Sequence, residues 1–563
     1  MNAQEIREKI IETVNNNGGH MASSLGAVEL AMAIVEVFDP EKDRIVWDVG
    51  HQAYAWKILT AHDRKAFDTL RKLDGLAPFP LPAESKSDAS VSGHAGIAIS
   101  VAEGLAAARD ARKMDDTHIV AIVGDGALAN GVSFEALNNL SAACSKVIIV
   151  LNDNEMSISR PTGSLAKLLG RLITNESYNR VKLAAENAGH HLRLTFLRGI
   201  YHRIESRIKS LFLGNAYFEQ FGMRYIGPVD GHNLDKLKAA LTVAKKDKRS
   251  VIVHVVTKKG KGYKPAEDDP TKYHGIGPMK HENSKARSWS DAFGDSICEL
   301  ARKDDRIVAL TAGMKDGTGL STFAEEFPSR FHDVGIAEEH MVAYAAGMAT
   351  GGLRPVVAIY STFLQRAVDQ IIHDICISNL PVVFCVDRAG VVGADGVTHQ
   401  GVFDIALLRC IPNLTICQPK NEDELKALLA EALSRNGPTV IRYPRGRVPM
   451  EISEHRNPNA KIEIWATGDQ IAKANEVAKR VDGDVVYARY LKPFNSELLN
   501  SQRLANKRII SIENGVVQGG FGESIGADIK FGWTDTFIPH GKIEELEKRY
   551  HFDVDSIAKE ING

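Results

Sequence analysis

The sequence predicts an α/β protein of three domains, each with a mostly parallel sheet flanked by helices, and three observations lead there. Short, unbroken β-branched runs recur along the chain, which is the composition of strands buried on both faces. Stretches with apolar residues at helical spacing separate these runs, the pattern of βαβ crossovers. Finally, 563 residues is room for three or four domains at roughly 150 residues each.

In order, residues 1–11 form an amphipathic helix and lack the pattern of a signal peptide. His118–Val123 is a strand that ends in Gly124-Asp125-Gly126, Ser133–Leu140 is helical, and Lys146–Leu151 is a second strand ending in Asn152-Asp153-Asn154-Glu155-Met156. Ligands of open α/β sheets collect beyond the carboxyl ends of such strands. Asp125 brings a hard anionic oxygen, Asn154 an amide oxygen and Met156 its backbone carbonyl. That set suits Mg²⁺ or Ca²⁺, with water and phosphate oxygens filling the remaining places. Gly124 and Gly126 let the backbone approach a diphosphate. Residues 160–215 carry few strand signals and read as a helical insertion or a flap.

A last strand, Ser250–Thr257, runs into Lys258-Lys-Gly-Lys-Gly-Tyr263, so the first domain covers 1–275, with a polar Gly/Pro linker at 276–287. The second, 288–450, has strands at Arg306–Thr311, Pro355–Tyr360 and Pro381–Asp387, and closes around Pro438–Arg445. The third, 458–563, has strands at Ile462–Ala466, Asp484–Ala488 and Arg508–Ile512.

Composition narrows the class. Hydrophobic residues make up 44%, charged residues 25%, and the net charge of −2 offers no field to recruit nucleic acid or an anionic membrane. No apolar run approaches the length of a bilayer span. Six cysteines are scattered without a Cys-x-x-Cys pair, and most look like small core residues of a reducing, cytoplasmic compartment.

Alone, Gly-Asp-Gly is a turn. With Asn154 placed 29 residues after Asp125, it matches the thiamine-diphosphate motif. Longer motifs agree: Trp47-Asp-Val-Gly-His-Gln-Ala-Tyr54, Leu151-Asn-Asp-Asn-Glu-Met-Ser-Ile158, Tyr225-Ile-Gly-Pro-Val-Asp-Gly-His232, Asp333-Val-Gly-Ile-Ala-Glu338, Ala358-Ile-Tyr-Ser-Thr-Phe-Leu-Gln-Arg366, Asp387-Arg-Ala-Gly390, Thr398-His-Gln-Gly401 and Arg442-Tyr-Pro-Arg-Gly446. Over most of residues 18–545 the chain resembles the 1-deoxy-D-xylulose-5-phosphate synthases, a family of transketolase-like thiamine enzymes.

The resemblance implies a diphosphate-binding, a pyrimidine-binding and a C-terminal transketolase-type domain, a homodimer, and thiamine diphosphate with Mg²⁺ as cofactors. It implies condensation of pyruvate with D-glyceraldehyde 3-phosphate to 1-deoxy-D-xylulose 5-phosphate and CO₂, the first step toward isoprenoid precursors by the non-mevalonate route. Two other readings are transketolase-type ketol transfer and a catalytically silent paralogue that binds cofactor.

Residue by residue, the resemblance places Gly124, Asp125, Gly126, Ala127, Asn154 and Met156 at the diphosphate and metal, with Lys259 and Tyr263 beside them. Glu338 matches the carboxyl that faces the pyrimidine; on the residue alone, a helix-start Glu favoured by the dipole is an equal reading. Phe363 matches the ring platform, and ordinary core packing is its other reading. His51 and His399 are expected at proton transfers, the former also at the cofactor, with His274 and less surely His20 and His94 beside them. Asp395 orients His399 or a substrate hydroxyl, or is a turn residue. Tyr360, Arg388 and Arg445 take the substrate phosphate, and Arg366 positions substrate.

The chain departs from the family's pattern at several places. Ala95 and Gly96 replace two serines, Trp56 and Ala77 stand where some relatives carry histidines, and Glu339 stands where Gln is usual.

Overall fold

The computed structural model describes residues 1–61, 63–143, 145–154, 215–278 and 287–563. The insertion or flap expected at 160–215 falls outside the described residues apart from its last residue, and Met156 lies outside them too. The chain divides into two compact units: Met1–Asp68 with Phe79–Lys280, and Thr69–Pro78 with His281–Gly563.

In the first unit, strands β1 (Arg44–Asp48), β2 (Ile119–Gly124), β3 (Ile148–Asp153), β4 (Arg224–Asp230) and β5 (Val251–Val256) form one parallel sheet in the order β1-β2-β3-β5-β4. Every residue from Ile119 to Val123 is buried, as expected for a central strand covered on both faces. Helices Ala98–Ala111 and Gly131–Ala143 lay Ala102, Ala106, Leu137 and Leu140 against Ala121, Val123, Ile149 and Leu151. Each such aliphatic side chain withdrawn from water contributes about 1.5–3 kcal/mol for Val, Leu or Ile. The N-terminal helix, Ala3–Asn17, starts at a capping box in which Asn2 Oδ1 accepts from the Glu5 N–H and a Glu5 carboxylate oxygen accepts from the Asn2 N–H, both at 2.9 Å.

The second unit holds β6 (Ile307–Thr311), β7 (Phe331–Asp333), β8 (Arg354–Tyr360), β9 (Val383–Asp387), β10 (Thr415–Cys417) and β11 (Thr439–Arg442). Further on come β12 (Ile462–Ala466), β13 (Asp484–Tyr487), β14 (Tyr490–Lys492), β15 (Arg508–Val516) and β16 (Ile529–Trp533). One sheet runs β14-β10-β11-β9-β8-β6-β7 and the other β13-β12-β15-β16. All pairings are parallel except β14 on β10, where Ile416 faces Lys492. The α/β class expected from the sequence is what the structure has. Through β14, the C-terminal part of the chain also supplies an edge strand to the sheet before it.

Among the described residues no helix is long and apolar enough to cross a membrane. Cys298, Cys376, Cys385 and Cys417 are free and buried, as small core residues would be.

Candidate functional site

In the first unit the register Gly124↔Asn152 sets the ends of β2 and β3 side by side. Asp125 therefore follows one strand end while Asp153 and Asn154 finish the other. Asn152 is anchored below them: its amide donates to Gln52 Oε1 at 2.7 Å and its oxygen accepts from Thr257 Oγ1 at 2.6 Å. Asp153 Oδ2 lies 3.0 Å from His254 Nε2, and the other nitrogen of that fully buried ring lies 2.7 Å from the Tyr225 hydroxyl.

Charge is concentrated here. Loss of hydration and the neighbouring Asp153 push the Asp125 carboxyl well up, against the pull of Lys259. Burial likewise drives the Lys259 ammonium down, opposed by Asp125. A half-buried carboxylate held beside a second one is a group that a divalent cation neutralises. Among the described residues no three His, Cys, Asp or Glu side chains gather into an all-protein cage. The donor set expected here uses a single carboxylate, leaving room for phosphate oxygens and water.

His51 and His274 stand with ring centroids 5.1 Å apart, and His20 is 5.9 and 5.5 Å from them. Burial holds His51 and His274 well below the ordinary imidazole pKa, and the neighbouring imidazoles and Lys259 add to this. Both rings are neutral at pH 7. Among the described residues His51 Nδ1 is buried without a hydrogen-bond partner. Tyr263 follows Lys259 in a turn and packs edge-on against Tyr273, with centroids 5.8 Å apart.

The second unit gathers the other group of expected residues. Glu338 opens the helix Glu338–Thr350 and is 4% exposed. Its Oε2 has no hydrogen-bond partner among the described residues, and the Arg366 guanidinium stands 3.7 Å away, beyond hydrogen-bond reach. Burial outweighs that cation and raises the carboxyl pKa to about 7. Phe363 is half-buried, stacked on Tyr360 at 5.6 Å with the His399 ring edge-on at 5.7 Å. The Arg388 guanidinium lies over the Tyr360 ring, 3.9 Å from its centroid. Asp395 is gripped from two sides, by Arg71 at 2.7 Å and Arg445 at 3.1 Å. The Thr398 hydroxyl lies 2.9 Å from His399 Nδ1. Register explains the gathering: Tyr360 pairs with Asp387, and Arg442 with Val386, so Arg388 and Arg445 leave neighbouring strand ends.

Comparison with known proteins agrees along the chain. The family model for 1-deoxy-D-xylulose-5-phosphate synthase matches residues 1–257, and that for the transketolase pyrimidine binding domain matches residues 285–451. A 1-deoxy-D-xylulose-5-phosphate synthase of Clostridium tetani (strain Massachusetts / E88) is 44% identical, covering 99% of this chain and 95% of the relative. The chain belongs to the 1-deoxy-D-xylulose-5-phosphate synthase family. The synthase of that name from Halothermothrix orenii is 43% identical, over 99% of this chain and 93% of its own. A solved transketolase from Campylobacter jejuni subsp. jejuni NCTC 11168 is 17% identical across the whole of both chains, with a TM-score of 0.46. Family membership rests on the sequence relatives.

Against the synthase pattern, the departures acquire physical reasons. Gly96 has φ +88°, and a Cβ there would lie 2.4 Å from Cγ and Oδ1 of the buried Asn130. Its N–H donates to both Asp48 carboxylate oxygens at 2.9 and 3.0 Å, and Ala98 N–H donates to one of them at 2.9 Å. The loop is thus held by backbone where serine hydroxyls were expected. Trp56 is fully buried and donates to Asp88 at 2.9 Å, a core anchor. Ala77 is buried in the segment Thr69–Pro78, which belongs to the second unit.

Several contributors escape a reading of this synthase's sequence. Arg71 is one, since nothing near it in the chain announces Asp395. Arg7, Glu29 and His232 are others. Arg7 donates to both Glu29 oxygens at 2.8 and 2.7 Å and to the Lys261 carbonyl at 2.8 Å, while His232 Nε2 accepts the Lys258 N–H at 2.9 Å. Together they clamp the loop that carries Lys259. His232 closes the motif Tyr225–His232, the one local signal of this clamp.

Proposed function

We propose that this protein condenses pyruvate with D-glyceraldehyde 3-phosphate, releasing CO₂ and forming 1-deoxy-D-xylulose 5-phosphate, with thiamine diphosphate and Mg²⁺. The observation that carries the reading is the buried Glu338 carboxyl, which lacks a hydrogen-bond partner on Oε2 among the described residues and keeps its proton up to about pH 7. Such a group fits an aromatic nitrogen that must be held protonated. When bound, thiamine diphosphate supplies the nucleophilic carbon and the electron sink for decarboxylation.

The chain's own residues then take distinct parts. Asp125, Asn154 and the Met156 carbonyl hold Mg²⁺, with the backbone of Gly124, Gly126 and Ala127 and the Lys259 cation toward the diphosphate, and Tyr263 beside it. Glu338 holds the proton at the pyrimidine, and Phe363 is the ring's platform. His51 and His274, kept neutral, can each accept or give one proton at a substrate oxygen as it changes between carbonyl and hydroxyl, as can His399. Arg388 and Arg445 take the aldehyde's phosphate beside Tyr360, while Asp395 sets the direction of Arg445. Arg366 sets the field at Glu338 and positions substrate.

The domain division 1–275, 288–450 and 458–563, a homodimer and a cytoplasmic location complete the proposal. Its support is the family membership and the three sheets, in which only β14 departs from the division by joining the second domain's sheet. The test supplies both substrates with cofactor and Mg²⁺ and follows product by NMR and CO₂ from carboxyl-labelled pyruvate. Labelled CO₂ with the five-carbon product is expected. Ketol transfer without CO₂, or no turnover, would overturn the reading.

A further inference from the structure

The residues assigned to chemistry all lie before position 450, yet the C-terminal part reaches back to the two strand ends that carry the phosphate arginines. Arg388 sits at φ +56°, a left-handed conformation that a long side chain adopts only where its surroundings enforce it. Three residues on, the Val391 N–H donates to Asn514 Oδ1 at 3.1 Å. Three residues before Arg445, the buried Arg442 guanidinium donates to the Asn514 carbonyl at 3.0 Å. One residue of β15 thus grips both arginine-bearing segments.

The grip is oriented as well as made. Asn514 Oδ1 also accepts from Trp533 Nε1 at 2.8 Å, and its amide donates to Asp469 Oδ2 at 2.8 Å, so the side chain has one hydrogen-bonding orientation. Gly390 lies against it so closely that a Cβ there would be 2.0 Å from Asn514 Nδ2. Arg442 is locked in turn by Asp404, at 2.9 and 3.1 Å. Mutually hydrogen-bonded side chains on half-buried groups hold one another in place.

We propose that Asn514 is a positioning residue for recognition of the aldehyde's phosphate: from the C-terminal sheet it holds Arg388 and Arg445 at the spacing the phosphate requires. This rests on the reading of those two arginines as the phosphate pair. A displacement of about 1 Å in such a clamp costs up to about 10²-fold in rate terms, so loss of the brace acts on the phosphorylated aldehyde and spares steps that do not involve it.

The experiment compares steady-state kinetics on D-glyceraldehyde 3-phosphate and on unphosphorylated D-glyceraldehyde, with the full-length holoenzyme and saturating pyruvate. Asn514→Ala keeps the backbone carbonyl that Arg442 uses and removes the side-chain hold on the Arg388 segment; it is expected to raise KM for the phosphorylated aldehyde about tenfold, with kcat, KM for pyruvate and KM for D-glyceraldehyde within about threefold of the parent. The exchange Asn514→Asp with Asp469→Asn reverses the donor and acceptor of the hydrogen bond between the two positions at unchanged net charge, giving up only the Gln470 bond to Asp469, and is expected to restore the KM. An unchanged KM, or equal losses on both aldehydes, overturns the proposal. Should Asn514→Ala fail to fold, Trp533→Phe keeps an aromatic ring in that buried place while removing the indole N–H that holds Asn514 Oδ1, and is expected to give a smaller rise on the phosphorylated aldehyde alone; no rise overturns the proposal. Arg388→Ala and Arg445→Ala run in parallel. If neither alters the preference between the two aldehydes, the phosphate reading itself has failed; if they do and the Asn514 variants do not, only the brace has failed.

Discussion

Replacing Glu338 with glutamine should remove a proton from the energetics of coenzyme binding. Burial lifts this carboxyl from 4.5 to about 7, a difference of about 3 kcal/mol between its protonation states. The sign follows from a pKa that is raised on folding. The linked stability is fully present below pH 4.5 and is lost as pH rises through about 7. At pH 8 the carboxyl in the free enzyme is therefore about nine-tenths ionised, and at pH 6 about nine-tenths protonated. A coenzyme that binds only the protonated form should take up about 0.9 proton at pH 8 and about 0.1 at pH 6. Calorimetry in buffers of different ionisation enthalpy reads this number directly. Protons that Mg²⁺ would displace elsewhere in the chain are common to both proteins, so the difference between parent and Glu338→Gln isolates the residue. Equal uptake in the two proteins at pH 8 would refute the reasoning. Turnover should fall by at least about 10²-fold in the variant, and Glu338→Ala with parental activity would remove the assignment.

Other outcomes follow from the same physical picture. Gly96→Ser should destabilise the first unit by about 1–3 kcal/mol through overpacking on Asn130, and Asn130→Gly in the same chain should return part of it in thermal melts. His51 and His274 are depressed on folding, so the unfolded chain takes up protons first as pH falls below 6.5, and stability drops there. His274→Gln should flatten the decline in melting temperature between pH 6.5 and 5. Arg71→Leu leaves the buried Asp395 carboxylate with Arg445, whose side chain is 42% exposed. A loss of up to about 3 kcal/mol is expected, measured by denaturant unfolding, with a raised KM for the aldehyde.

The strands were legible wherever a short run is mostly apolar: β2, β3, β5, β9 and β12 start or end within about two residues of the expected limits. β7, β10 and β14 were not, because three residues are too few to show alternation. β4 was hidden by the Gly227-Pro228 pair inside it, since Pro withholds a ladder donor. β15 runs past its apolar stretch to Val516 and carries Glu513, whose carboxylate takes the Phe521 and Gly522 N–H groups at 2.7 Å. A charged residue there looked like the end of a strand.

By itself the sequence determined the chemistry on offer. Strand-ending loops with Asp125 and Asn154, a glutamate at position 338 and arginines just beyond β9 and β11 follow from local composition, because strand ends and side-chain types are local properties. The tertiary structure alone decided which groups are satisfied. Glu338 keeps its proton because burial strips its water without giving Oε2 a described partner, and Arg71 meets Asp395 because the fold brings distant segments together. Protonation and pairing depend on what surrounds a group in space, and adjacency along the chain does not encode that.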